Sequence, residues 1–225
     1  MRFRVNDTLP VVHVATAAAP PFMKNGYLVW CESTREGVVI DPGDEVDELI
    51  RAARDGRVVV KQILLTHAHL DHITGVGRAK AEFGVPIWLH QDDLFLYKNA
   101  VQQGIAFGFR VEAPPPVDSF YESGQILRFG DYQVDVLPTP GHCPGGVCLA
   151  IGPAGSKDRE LFVGDTLFAG SIGRTDLPGG DHETLINSIR TVLFAFPDDA
   201  IVHSGHGPDT TIGEERRTNP FLVGT

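Results

Sequence analysis

Short apolar runs rich in leucine and β-branched residues recur along the chain, and each gives way to a polar turn. Runs of this length and composition predict β-strands, because branched side chains pack well on a pleated surface. The run at 58–65 is followed by a strongly polar cluster, which indicates a buried strand that ends in a loop. The predicted strands cover residues 27–30, 37–40, 58–65, 85–89, 132–137, 146–151, 161–163 and 200–203.

Three segments between the strands have apolar residues at helical spacing. They predict helices over 44–54, 71–83 and 183–194, and Gly84 is expected to end the second of these. Residues 91–126 are less regular and contain a proline-rich connector. Two sets of strands with helices between them predict a layered α/β architecture, in which two sheets are covered on the outside by helices.

The composition is that of a globular domain with a substantial core. The 225 residues are 42% hydrophobic and 21% charged. A formal net charge of −10 argues against a general nucleic-acid binder.

No run reaches the roughly 20 apolar residues of a membrane span. Polar residues interrupt the alanine-rich segment 1–21, so no secretory signal is predicted, and three scattered cysteines fit a reducing compartment. We therefore expect a cytoplasmic protein.

The densest group of chemically active side chains directly follows the strand at 58–65. The motif THAHLDH at 66–72 contains three imidazoles and a carboxylate. In an extended backbone, side chains two residues apart lie on the same face, so His67 and His69 can bind one ion. Asp71 and His72 begin the next helix and could face a neighbouring position. Because zinc, iron and manganese share imidazole and carboxylate ligands, the motif predicts a metal site.

Three further candidate ligands follow strand-like runs in the same manner, and they are His142, Asp165 and His206. Loops at strand ends are held rigidly by the sheet, which suits a functional site. The resulting set of five histidines and two aspartates exceeds the three or four protein ligands of a single zinc ion. It fits two adjacent ions that share a bridging carboxylate. The remaining histidines lack a ligand-like context and are interpreted as structural: His13, His90, His182 and His203.

This pattern resembles the signature of the metallo-β-lactamase superfamily, and the likeness extends from about residue 27 to the C-terminus. The resemblance implies a four-layer αββα sandwich, an α/β fold of two mixed β-sheets flanked by helices, with the metals at one edge between the sheets. It also implies two divalent metal ions, with zinc expected first and iron or manganese as alternatives. The first ion would be bound by His67, His69 and His142 and the second by Asp71, His72 and His206, with Asp165 bridging them.

A narrower resemblance is to the glyoxalase II branch of the superfamily, the hydroxyacylglutathione hydrolases. It rests on segments 164–168, 173–176, 205–208 and 219–222. The likeness is closest to the short bacterial form, so residues 1–225 are expected to form one domain without the helical C-terminal domain of the longer enzymes. The resemblance implies a small-molecule glutathione thioester, S-lactoylglutathione or a related hydroxyacylglutathione, as the substrate.

Arg174 matches the position at which the longer enzymes carry a basic residue that contacts a glutathione carboxylate. A guanidinium group can bind a carboxylate through two parallel hydrogen bonds. The aromatic residue expected two positions later is replaced by Asp176. Arg174 is therefore a candidate substrate-binding residue, and the alternative is a structural arginine paired with Asp176 or Asp181.

The resemblance implies hydrolysis by a hydroxide that bridges the two ions, with Asp71 and Asp165 as catalytic residues. The alternative is a glutathione persulfide dioxygenase of the same fold, which uses one iron at the positions of His67, His142 and Asp165. Lactam or lactone hydrolysis on the same centre is a further alternative. The sequence does not indicate an oligomeric state.

Overall fold

Two six-stranded sheets form the centre of the computed structural model, which describes residues 12–122 and 124–223. The first sheet contains, in spatial order, β1 (His13–Ala19), β2 (Lys24–Trp30), β3 (Glu36–Ile40), β4 (Val59–Leu64), β5 (Ile87–Leu89) and β6 (Ser119–Phe120). The second contains β7 (Ile126–Phe129), β8 (Tyr132–Pro138), β9 (Val147–Pro153), β10 (Glu160–Gly164), β13 (Ile201–Ser204) and β14 (Thr210–Thr211), while β11 (Leu167–Phe168) and β12 (Ser171–Ile172) form a separate hairpin.

The helices that the structure describes are α1 (Val46–Asp55), α2 (Leu70–Ile73), α3 (Val76–Phe83), α4 (Leu94–Lys98), α5 (Ala100–Ala106), α6 (His182–Thr191) and α7 (Ile212–Thr218), with 3-10 turns at Gln91–Asp93 and Leu193–Ala195. Six of these helices lie between strands in the chain, and α7 follows the last strand. Among the described residues, no helix is long and apolar enough to cross a membrane.

The hydrophobic core consists of three layers of contact between these elements. Val29 and Ile40 of the first sheet pack against Leu149 and Phe162 of the second, so the inner faces of the two sheets bury each other. Helices α1 and α3 pack on the outer face of the first sheet, and α6 and α7 pack on the outer face of the second. Burial of each large aliphatic side chain contributes about 1.5–3 kcal/mol to folding. The predicted αββα sandwich is confirmed.

The strand directions bring several loops to one edge of the sandwich. Strands β3, β4 and β5 are parallel, so their C-terminal ends lie side by side. In the second sheet β10 and β13 are also parallel. Backbone hydrogen bonds join the two sheets at this edge. The amide of Val147 donates to the carbonyl oxygen of Thr66, and the amide of Asn25 donates to the carbonyl oxygen of Gly205.

The structure differs from the sequence prediction in the helix expected at 71–83. That segment forms two helices, α2 and α3, because the chain breaks at Gly75 to pass close to Gly43. A Cβ at Gly75 would lie 2.2 Å from the carbonyl oxygen of Gly43, so only glycine fits this crossing.

The sequence prediction also missed several short elements. The alanine-rich segment forms β1, for which the sequence pattern predicts no strand, and the irregular region 91–126 contains α4, α5 and β6. The predicted helix at 183–194 ends earlier, because α6 is followed by a 3-10 turn. The predicted lack of a secretory signal concerns residues 1–21, of which 1–11 lie outside the described ranges.

Candidate metal centre

The motif at 66–72 leaves β4 as a loop and continues into the single turn of α2. His67 and His69 lie in the loop, and Asp71 and His72 lie in α2. All three imidazoles are buried, whereas Asp71 is partly exposed. Four potential ligands therefore leave the end of one strand within six residues, as the sequence predicts.

His142, Asp165 and His206 come from the second sheet. His142 lies in the loop between β8 and β9, Asp165 directly follows β10, and His206 follows β13. Close packing at this point requires glycine, since a Cβ at Gly205 would lie 2.2 Å from Oδ1 of Asp165. The structure thus brings all seven candidate ligands to the same edge of the sandwich.

The ligand atoms form two groups, each with its atoms within 4.8 Å of one another. The first group is His67, His69 and His142, and the second is Asp71, His72 and His206. In the first group, Nδ1 of His69 lies 2.7 Å from Nε2 of His142. In the second, Nε2 of His206 lies 3.0 Å from Oδ2 of Asp71. Both groups therefore have the size and donor types of a cation site.

Asp165 lies between the two groups. Its Oδ2 is 3.7 Å from Nε2 of His142 and 3.7 Å from Nε2 of His206, while its Oδ1 is 3.2 Å from Nε2 of His72. One carboxylate thus faces members of both groups at once.

Hydrogen bonds fix the orientation of two ligand rings. Nδ1 of His142 donates to the carbonyl oxygen of Arg174 at 2.7 Å. Nδ1 of His72 donates to Oδ2 of Asp41 at 2.9 Å. Because Nδ1 carries the bonded proton in each ring, the lone pair for a metal is on Nε2, which faces the centre.

Asp41 supports two of the ligand rings, and the sequence pattern does not identify it as a candidate. It accepts hydrogen bonds from the amide of Thr66 at 2.7 Å and from the Thr66 hydroxyl at 2.5 Å. The oxygen of Thr66 is in turn 3.1 Å from Nδ1 of His67. Asp41 therefore orients His67 through Thr66 and His72 directly, which accounts for the close grouping of Asp41, His67 and His72. Its position directly after a predicted strand is the one signal in the sequence, and that signal does not distinguish it from an ordinary turn residue.

Buried atoms without partners test whether these residues fit metal ions. Nε2 of His67, Nε2 of His72 and Oδ1 of Asp165 are buried and make no hydrogen bond of good geometry, although the last two lie 3.2 Å apart as an ion pair. An unsatisfied buried polar atom costs about 1–3 kcal/mol, so folded proteins rarely keep several together. The three atoms belong to both groups and to the carboxylate between them. This donor set fits divalent cations.

The protonation states of the metal-free centre follow from burial and charge. Burial lowers the pKa of His67 well below its usual value and that of His69 to about 3, so both rings are neutral at pH 7. Burial also opposes charge on His72, but the carboxylates of Asp165 and Asp71 outweigh it and raise its pKa to about 10. A cation bound at the second group must therefore displace a proton from His72.

The Arg174 guanidinium is engaged by a neighbouring acid. Its Nε and Nη2 donate to the two carboxylate oxygens of Asp176, each at 2.7 Å. Both side chains are more than half exposed. Asp181 instead accepts from the amide of Thr184 as the N-cap of α6. The structural pairing considered for Arg174 is thus with Asp176 and not with Asp181.

His203 lies outside both ligand groups and has its own partners. Its Nε2 is 2.7 Å from Oε2 of Glu160, and its Nδ1 is 2.9 Å from Oδ1 of Asp209. Among the described residues, His13, His90 and His182 likewise belong to no group of potential ligands close enough together to bind one metal ion. The interpretation of these four histidines as structural therefore stays a prediction.

The chain is similar to known proteins along most of its length. The sequence pattern described as the metallo-beta-lactamase superfamily matches residues 19–206. A relative from Haemophilus influenzae, named hydroxyacylglutathione hydrolase GloC, is 42% identical over 203 residues, which are 89% of this chain and 93% of that protein.

Two solved structures are similar in both fold and sequence. The BLEG-1 B3 metallo-beta-lactamase has a TM-score of 0.86 and 36% identity, with 94% of this chain and 100% of that chain covered. The protein TTHA1623, solved in a di-iron-bound form, has a TM-score of 0.81 and 41% identity, with 93% of this chain and 100% of that chain covered.

Proposed function

Because the chain belongs to the metallo-β-lactamase superfamily, we propose that it is a metal-dependent hydrolase of thioesters, with S-lactoylglutathione or a related hydroxyacylglutathione as its substrate. The choice of substrate is supported by the name of the 42% identical relative from Haemophilus influenzae. The choice of reaction is supported by the residues of this chain.

The placement of Asp165 between the two ligand groups carries the proposal. A carboxylate that faces Nε2 of His142 on one side and Nε2 of His206 on the other suits two cations that share a ligand. A pair of cations about 4 Å apart is the arrangement that many metal-dependent hydrolases use. The di-iron form of TTHA1623 supports a two-metal centre in a 41% identical protein.

The ions would be held by the seven ligands described above. When bound, two divalent cations lower the pKa of water towards neutrality and polarise a carbonyl oxygen. The chain provides the orientation: Asp41 and the carbonyl of Arg174 aim the ligand rings. Burial opposes charge on Asp71 and Asp165, but the adjacent His72 lowers the pKa of both carboxyls. Both carboxyls are therefore already ionised before a cation binds, so they would bind it without losing a proton.

The substrate would approach the open side of the centre. His206 is 33% exposed and Asp71 is 16% exposed, whereas His72 is fully buried. Cys143, although next to a ligand, is not suited to be a nucleophile. Its thiol donates to a carboxylate, and burial raises its pKa well above the usual value, so it stays protonated at neutral pH.

Metal content and substrate turnover test the proposal together. We expect two divalent ions per chain by elemental analysis and rapid hydrolysis of S-lactoylglutathione by the same sample. One ferrous ion per chain with oxygen uptake on glutathione persulfide would instead favour the dioxygenase alternative. Turnover of a β-lactam without turnover of thioesters would contradict the proposed substrate class, a necessary comparison because of the similarity to BLEG-1.

We further propose that Arg174 binds a carboxylate of the glutathione moiety. On binding, the substrate carboxylate would take the place of Asp176 as the partner of the guanidinium. Arg174→Ala should then raise KM about tenfold while kcat stays within about twofold, because the contact forms equally in the bound substrate and the transition state. Steady-state kinetics with S-lactoylglutathione measure both constants. Asp176→Asn is the matched control, and it should lower KM because it frees the guanidinium. An unchanged KM in Arg174→Ala would leave Arg174 with only its structural pairing.

A further inference from the structure

Asp93 is a fully buried carboxylate that lies behind the first ligand group. It ends the 3-10 turn Gln91–Asp93, which follows β5. Its Oδ2 accepts a hydrogen bond from the amide of Ala68 at 3.0 Å and from Sγ of Cys143 at 3.2 Å. Its Oδ1 accepts from the amide of Gly145 at 2.6 Å. All of these donors belong to the two loops that carry the first group.

The two loops come from different sheets. Ala68 lies between His67 and His69 in the loop after β4, and Gly145 follows His142 in the loop between β8 and β9. The Asp93 carboxylate is therefore hydrogen-bonded to the peptide backbone on both sides of the first group. Charge-assisted hydrogen bonds of this kind are roughly twice as strong as neutral ones, so they hold the loops at a fixed separation.

The contact with Gly145 depends on the absence of a side chain. A Cβ at position 145 would lie 2.6 Å from the amide nitrogen of Asp93 and 2.8 Å from its carboxyl carbon. Any other residue would push the loop that carries His142 away from the carboxylate. The close approach can thus be disturbed from either side, at Asp93 or at Gly145.

The strand order explains why a carboxylate occurs at this place. In the first sheet, β4 lies between β3 and β5, and all three strands end at the same edge. The residue after β3 is Asp41, which orients His67 and His72. Asp93 follows β5 and contacts the same ligand loop from the other side. The two acids differ in their contacts, because only Asp93 is hydrogen-bonded both to this loop and to the loop that carries His142.

We infer that Asp93 is a positioning residue for the first ligand group, and that it sets the affinity of that group for its cation. It acts by holding the loop of His67 and His69 against the loop of His142. The inference rests on the proposed metal centre but not on the proposed substrate. It predicts a selective effect, since the carboxylate makes no hydrogen bond to Asp71, His72 or His206 among its contacts.

The test isolates each ligand group before Asp93 is changed. An Asp71→Ala background removes a ligand of the second group only, and a His69→Ala background removes a ligand of the first group only. In Asp93→Asn the amide nitrogen cannot accept, so one of the two backbone donors loses its partner. We expect Asp93→Asn to raise the Kd for Zn²⁺ about 10–100-fold in the Asp71→Ala background, the usual effect of losing a group that orients metal ligands. In the His69→Ala background the Kd should stay within about twofold.

The measurement is a titration of metal-free protein with Zn²⁺ in competition with a chromophoric chelator, so it does not depend on turnover. Gly145→Ala should reproduce the selective weakening, and it replaces Asp93→Asn if that variant does not fold. Glu160→Gln is the matched control, because Glu160 is a buried acid that contacts His203 away from the ligand groups. It should leave the Kd unchanged in both backgrounds.

Equal weakening in the two backgrounds would overturn the inference, because it would indicate general destabilisation. An unchanged Kd in the Asp71→Ala background would overturn it as well. The proposed function fails on a different result. If the unmodified protein binds two ions but hydrolyses no thioester, the proposed substrate class is rejected. Selective weakening of Zn²⁺ binding by Asp93→Asn in the same protein would still support the role of Asp93.

Discussion

Asp165→Ala is expected to lower kcat/KM for S-lactoylglutathione by about 10³-fold or more, since loss of transition-state stabilisation by metals amounts to several kcal/mol. The reason is the position of the carboxylate, which faces His142 of one ligand group and His206 of the other. Its removal takes a ligand from both proposed ions, and it also leaves His72 without a close acceptor at Oδ1. Steady-state rates and metal content of the purified variant measure the effect.

The control for this variant is Asp47→Ala, which removes an exposed aspartate from α1. It should keep two ions per chain and turnover close to that of the unmodified protein. Asp165→Ala is expected to bind at most one ion tightly and to remain folded by circular dichroism. Equal turnover by Asp165→Ala and the unmodified protein would contradict hydrolysis at a two-metal centre.

Much of the sandwich can be predicted from sequence because its central strands are strongly apolar. The C-terminal end of the strand predicted at 58–65, residues 63–65, and the strand at 161–163 are buried in the core, where runs of Val, Ile, Leu and Phe have few alternatives, whereas Val59 at the start of β4 is exposed. The edge strands β6 and β14 have only two residues each and carry no such pattern. Strand β1 is alanine-rich and is formed through its antiparallel pairing with β2, which no local pattern indicates.

The candidate ligands could be predicted because they follow strands, and the supporting residues could not. His67, His69 and Asp71 can be identified from their residue types and their spacing of two. Asp41 and Asp93 are single acids at the ends of other strands, and each resembles an ordinary turn residue. Their roles depend on β3 and β5 lying beside β4 in the sheet, which is a long-range feature of the fold. Recognition of the parallel order would have been needed to find them.

Removal of the metals is the second change with a large expected effect. Dialysis against a chelator should abolish thioester hydrolysis, and activity should return when Zn²⁺, Mn²⁺ or Fe²⁺ is added. The unfolding free energy should also fall, by about 4 kcal/mol if the free metal had been present at about 1,000 times its Kd. Chemical denaturation of the loaded and metal-free samples measures this difference. Full activity after removal of all bound metal would contradict the proposed function.

The metal-free protein should also depend on pH in a way that the loaded protein does not. His69 has a lowered pKa of about 3, so the unfolded chain binds more protons below about pH 6.5, and stability falls as the pH decreases. His72 has a raised pKa of about 10, so its contribution is fully present below about pH 6.5 and is lost as the pH rises towards 10. The combined contribution of these two groups is greatest near pH 6.5, with slopes of up to about 1.4 kcal/mol per pH unit for each group.

Bound cations would replace the proton on His72 and exclude one from His69, so they would remove the part of the alkaline loss of stability that comes from His72. The stabilisation by metal should therefore increase between pH 7 and pH 9, because proton displacement from His72 becomes easier as the pH approaches its pKa. Denaturation at several pH values, with and without Zn²⁺, measures this difference. His72→Asn in the metal-free protein is the control, and its alkaline slope should be smaller by the contribution of His72, while the contribution of His203, whose pKa is also raised by Asp209 and Glu160, remains. A metal-free protein that is equally stable at pH 7 and pH 9 would show that His72 is not held as an imidazolium between Asp71 and Asp165.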